Sequence, residues 1–180
     1  MTILKYVPFV IISMLVTIYN LQKLKQKPSI TAGIVRLSFI VYAISVFYLI
    51  FTPGVYSFGS ELYSHAIHIG YAKVIMTPYQ DYGMQGMLNI VMTVPMGVYL
   101  YIFGHKDRPL LIEVLLIALG FALFNEGGQF ALDQVVHLNR TVDVMDVIHN
   151  AAGVVIGFYL MSPFNLFLKT EKNDLQKSKL

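Results

Sequence analysis

The sequence predicts an all-α polytopic membrane protein. It has about five transmembrane helices and an interfacial or re-entrant outer segment between the second and third. Three observations predict this. Hydrophobic residues make up 56% of the 180-residue chain and charged ones only 13%, against about 25% charged in a soluble domain. The mean hydropathy is +0.63. Five stretches approach the roughly 20 apolar residues that a helix needs to cross a bilayer. In hydrocarbon each backbone polar group must be satisfied within its own segment, which makes these stretches helices.

The elements follow in order. Tyr6 to Gln22 carries no charge and suits a first span. A signal peptide is the alternative there, but no small-residue cleavage pattern follows. Leu37 to about Thr52 is the second span. Residues 53–81 then bring Tyr56, Phe58, Tyr63, Tyr71 and Tyr79 among Gly and Pro, a composition suited to the outer leaflet surface. Within them Ile67 to Tyr71 alternates like a strand, whereas Glu61 to His68 suits a short helix. Tyr82 to Gly104 is the third span. Pro109 to Leu132 is the fourth, with Glu113 near one end and Glu126 near the other. Residues 131–143 form a second outer loop, and Val147 to Leu168 is the fifth span. Residues 1–168 thus read as a single transmembrane domain. Residues 169–180 read as a polar, disordered tail. There is no internal repeat.

Basic residues set the expected orientation. Lys23, Lys25, Lys27 and Arg36 fall in or near the first loop, and Lys106 and Arg108 in the third-to-fourth loop. Lys169, Lys172, Lys177 and Lys179 lie in the tail. Five spans put all of these on one side, leaving Lys5, Lys73 and Arg140 on the other. The N-terminus is therefore expected outside the plasma membrane and the C-terminus in the cytoplasm. The net charge of +3 comes from such topological lysines, so no nucleic-acid partner is expected. There is no cysteine, which excludes disulfides, thiolate metal sites and cysteine nucleophiles. With no tryptophan among the aromatics, tyrosine must form the interfacial belt.

The most informative pattern lies near the C-terminus. Asp143, Asp146, Asn150, Gly153 and Gly157 recur in steps of three and four, which draws one stripe along a helix. The intervening residues are mostly Val, Met, Ile and Ala. Such a stripe must face protein or trapped water, and intramembrane ionisable groups mark candidate functional sites. Glu126, Gln129 and Asp133 share a face of the fourth span, and Asn89, Thr93 and Gly97 a face of the third. Pro95 is expected to kink that third helix or free a carbonyl. The topology brings these groups to one outer layer. A carboxylate at the bilayer centre costs about 2.5–3.5 kcal/mol, less toward the interface. Arg140 is the expected compensating cation, able to grip a carboxylate bidentately. Asp143 and Asp146 also suit the positive end of the fifth helix. A purely structural reading makes the two aspartates helix-start residues and Glu126 with Arg140 a clasp. Gly153 and Gly157 form a G-x-x-x-G packing face, which also offers a homo-oligomer contact.

His65 and His68 form H-x-x-H, a metal-binding spacing if helical, and His149 follows Asp146 by three residues. Neither set has a clear third ligand, so no metal is expected. No Walker loop, dinucleotide fingerprint or G-x-S-x-G appears, and no cofactor is expected.

These residues resemble the VanZ-like family of bacterial membrane proteins. Its pattern places an Asn, then Pro and Gly, in one helix, here Asn89, Pro95 and Gly97. E-x-x-Q ends the next helix, here Glu126 and Gln129. The last motif runs R-x-x-D-x-x-D-x-x-x-N-x-x-G-x-x-x-G, here Arg140, Asp143, Asp146, Asn150, Gly153 and Gly157. An I-x-P-F element is represented loosely by Ile75, Pro78 and Tyr79. The resemblance covers roughly residues 36–162. Two positions depart from it. Thr93 stands where an aromatic residue is usual, and Ala-Leu-Phe-Asn precedes Glu126 where a Ser is frequent. The resemblance implies a cell-envelope role that lowers sensitivity to teicoplanin-type lipoglycopeptide antibiotics.

Three functions fit. The first is an outward-facing polar site binding an amphiphilic or lipid-linked ligand, such as a membrane lipid, an envelope precursor or a lipoglycopeptide. Arg140 would meet an anionic head group and Asn89, Asn150 and Gln129 would orient it. Glu126, Asp143 and Asp146 would hold Arg140 or accept ligand hydrogens. The second is a membrane hydrolase or transferase acting on an envelope lipid, with Glu126 and Asp146 as acid and base. The third is a small transporter or flippase, which the absence of a repeat makes weaker.

Overall fold

The computed structural model describes residues 3–25, 29–53, 66–76, 84–104, 110–161 and 163. Five helices are long and apolar enough to cross a membrane. A short 3-10 turn, Ile3–Tyr6, leads into α1, Val7–Leu24. Then come α2 (Ile30–Phe51), α3 (Met84–Phe103), α4 (Leu111–Val136) and α5 (Val144–Met161). Three short strands accompany them: β1 (Ile67–Ile69), β2 (Ala72–Ile75) and β3 (Thr141–Asp143). The all-α bundle stands, with this small sheet added at one end.

Several boundaries differ from expectation. The second span begins at Ile30, because the Ser29 hydroxyl accepts the Ala32 amide at 3.2 Å and caps the helix. Arg36 is therefore not a loop cation. It is buried two turns inside α2, its guanidinium 5.6 Å from the centre of the Phe103 ring. The fourth helix runs on to Val136, so most of the expected 131–143 loop is helix or strand. It ends where His137 adopts φ 54° and its amide bonds the Asp133 carbonyl. At the other end of α4 the Glu113 carboxylate accepts the Leu110 amide at 3.1 Å.

In the outer segment, residues 67–69 are strand, so no helix reaches His68 and a helical H-x-x-H is not formed. His65 and residues 54–64 lie outside the described residues, as do Pro78, Tyr79 and the tail from Lys169. β1 and β2 form an antiparallel hairpin closed at Gly70, which takes φ 62°, a conformation natural to glycine. β2 also pairs in parallel with β3, Lys73 opposite Thr141 and Ile75 opposite Asp143. Gln134 fastens the hairpin to the end of α4. Its amide oxygen accepts the Tyr71 N–H at 3.2 Å and its amide nitrogen donates to the Ile69 carbonyl at 2.7 Å.

The starts of α3 and α5 and the end of α4 gather at this sheet-bearing end, and Lys5 Nζ reaches the His137 carbonyl there. α3 and α5 pack together most extensively. Gly153 meets Thr93 Oγ1 and the Ile90 carbonyl, Gly157 meets the Val94 carbonyl, and Gly97 meets the backbone of Val154 and Phe158. Only hydrogen fits at such crossings, so the backbones approach closely. Pro95 lies inside α3 and removes the hydrogen bond that Val91's carbonyl would otherwise receive. One apolar cluster joins Val46, Ile50 and Phe51 to Phe9, Met92 and Leu132. A second joins Tyr101, Val114 and Phe158 at the opposite end of the bundle.

Candidate functional site

Depth follows from helix geometry. At 1.5 Å per residue α4 is about 39 Å long, longer than the ~30 Å hydrocarbon core. Glu126 lies fifteen residues from its first residue, about 23 Å along the axis. Its last turns run beside the sheet. The α5 helix begins level with Glu126, since Glu126 Oε2 accepts the Asp143 amide at 3.4 Å. These groups therefore sit in the half of the bundle toward the sheet-bearing end.

The site grows from that contact. Glu126 is buried at 4% exposure, and its second oxygen accepts the Asn150 amide nitrogen at 3.4 Å. Asp146, also buried, accepts Gln85 Nε2 at 3.2 Å and a further hydrogen bond from Asn89. Its other oxygen is 4.0 Å from His149 Nδ1. The His149 ring lies over Gly86, where a Cβ would come within 2.6 Å of it. Glu126 and Asp146 repel each other through the protein interior. The structure thus brings together Asn89, Glu126, Asp143, Asp146 and Asn150 from α3, α4, β3 and α5.

Asp143 is placed differently from the helical stripe expected of it. It ends β3, paired opposite Ile75, and its Oδ1 accepts the Met145 amide at 2.8 Å. Strand pairing holds its backbone extended, so α5 starts one residue later with Asp143 as its cap. Gln129 is half-buried one turn from Glu126 and joins none of these hydrogen bonds among the described residues.

Arg140 is also placed differently. It is positioned through its backbone: Asp133, fully buried, accepts the Arg140 amide at 3.3 Å and the amides of Leu138 and Asn139. Among the described residues no bidentate clasp joins Arg140 to Glu126, and Arg140 Nε is buried without a hydrogen-bond partner, with Glu126, Asp133 and Asp146 acting on the guanidinium through space. Burial pulls its pKa below the ordinary arginine value and the three carboxylates oppose that pull. An arginine so placed stays protonated near neutral pH.

Gln85 lay outside the sequence-based set, Asp133 was placed on the polar face but given no role, and buried Asn125 was not singled out. Gln85 was reachable by extending the Asn89–Thr93–Gly97 stripe back by one turn. Asp133 shared the Glu126 face but gave no sign of its cradle. Asn125 is fully buried with both side-chain polar atoms unpartnered. Among the described residues no group of three His, Asp or Glu is arranged to hold a metal.

A sequence model of the VanZ/LLP1 family matches residues 39–168, more than two thirds of the chain. The chain belongs to the VanZ/LLP1 family. The match runs from within α2 through α5 and contains every residue of the cluster, whereas α1 lies outside it. None of the curated proteins and none of the solved structures matches the chain. Family membership and the five apolar helices make this VanZ/LLP1 chain a multi-pass membrane protein.

Proposed function

We propose that this VanZ/LLP1 protein binds an amphiphilic or lipid-linked ligand at the Glu126–Asp146–Arg140 cluster on the outer face of the plasma membrane, and so lowers sensitivity to teicoplanin-type lipoglycopeptides. The observation that carries the reading is the convergence of α3, α4 and α5 side chains in the sheet-bearing half of the bundle. Arg140 Nε stays unpartnered beside them. Buried polar groups are normally satisfied. A ligand head group would supply what the protein leaves open, while its chains rest on the apolar helix faces.

The buried pair Glu126 and Asp146 also favours a second reading, an envelope-lipid hydrolase or transferase using them as acid and base. Incubating purified protein with a panel of envelope lipids separates the two: unchanged lipids favour binding alone.

The binding test is lipid retention. Wild-type protein and Arg140→Ala, purified identically, are compared by native mass spectrometry. A lipid kept by wild type and lost from the variant supports the reading. Equal retention contradicts it. Orientation is tested by a cysteine at Ser178, which should stay unreactive to an impermeant reagent in intact cells. Labelling there would place the site on the cytoplasmic face.

A further inference from the structure

The cluster carries more acceptors than donors. Asp133 is used by the loop amides and Asp143 by the start of α5. Glu126 and Asp146 keep spare capacity, since a carboxyl group retains acceptor lone pairs beyond the bonds named above. Two of the bonds to Glu126 are long, at 3.4 Å. Independently, Asn150 is 2% exposed and turns its amide nitrogen toward Glu126, which leaves its Oδ1 buried without a partner. A third acceptor is thus left open on the residue that bonds Glu126. Among the described residues the buried nitrogens left without a partner around the cluster are Arg140 Nε, Asn125 Nδ2 and His149 Nδ1, and of these Arg140 carries the fixed positive charge.

We infer that the site takes a phospholipid head group carrying a primary ammonium beside its phosphate. The ammonium sits among Glu126, Asp146 and Asn150 Oδ1, and the phosphate meets Arg140. This rests on the amphiphile-binding reading and names its ligand class. An ammonium supplies three donors, which matches in number the acceptors left open on these three residues. A quaternary ammonium has no N–H to give. A purely anionic head group would bring negative charge to two carboxyl groups with no ammonium to offset it, which disfavours it.

The test gives full-length protein a choice. It is reconstituted with equal parts of ethanolamine, choline and glycerol phospholipids of identical acyl chains, extracted gently, and weighed with its retained lipid. Wild type should retain the ethanolamine lipid about tenfold over the choline lipid, a difference of about 1.4 kcal/mol. Glu126→Gln should largely erase that preference. Equal retention of ethanolamine and choline lipids by wild type, a result that depends on no variant folding, overturns the inference. Preferential retention of the glycerol lipid, lost in Arg140→Ala, overturns the ammonium while leaving the amphiphile reading standing. No lipid retained above the annular level removes both. Soluble phosphoethanolamine should displace the lipid only weakly. Displacement as effective as by the lipid itself would overturn a membrane source for the head group.

Discussion

Asn150 on α5 donates its side-chain amide to Glu126 on α4, across 3.4 Å and between two residues that are 2% and 4% exposed. This bond joins the E-x-x-Q motif of α4 to the long C-terminal motif and sets α4 and α5 in register at the site. Asn150→Leu should lower stability by about 1–3 kcal/mol, since it strips a donor from a buried carboxylate. Glu126→Gln keeps the shape and one acceptor and should cost less. Thermal unfolding in detergent, followed by helical circular dichroism, checks the order of the two.

The α3–α5 crossing depends on missing side chains. Gly157 meets the Val94 carbonyl and Gly153 the Ile90 carbonyl. Gly157→Val should destabilise by about 1–3 kcal/mol or more, as overpacking forces the backbones apart. Gly127 in α4 has nothing within 4 Å of a built Cβ. Gly127→Ala should be neutral or stabilising by up to about 1 kcal/mol. The paired measurement separates close packing from mere helix propensity.

Asp133 positions Arg140 by gathering successive backbone amides. Hydrogen bonds to a charged group contribute about 1.5–3 kcal/mol each at most. Asp133→Ala should therefore release residues 138–140 and reduce lipid retention as strongly as Arg140→Ala. Hydrogen exchange at those amides should rise. Unchanged exchange would contradict the cradle.

Gln134 ties the hairpin to α4 with both ends of its amide. Gln134→Ala should quicken hydrogen exchange over residues 67–75 while leaving the helices unchanged. Equal slowing or quickening of the whole bundle would show that Gln134 matters to global stability instead.

The five spans were legible because apolar length is a local signal. The start of α2 was not: Arg36 looked like a loop charge, since nothing in a linear pattern shows its guanidinium buried over the Phe103 ring. The sheet was half legible. The alternation at Ile67–Tyr71 suggested a strand, but β3 is three residues long and pairs with Lys73–Ile75, nearly 70 positions away. That pairing, not helical periodicity, decides where Asp143 lies. Glu126, Asp146 and Asn150 were found because polar residues in apolar helices stand out. Asp133 shared that signal, but its partners are backbone amides and carry no signature.

The most direct measurement is antibiotic susceptibility in a sensitive Gram-positive host. Teicoplanin is compared with vancomycin, using wild type and Glu126→Gln at matched membrane levels. The account predicts that wild type protects selectively against teicoplanin and that Glu126→Gln does not. Equal protection by both proteins, or by neither, would contradict a functional role for this site in that resistance.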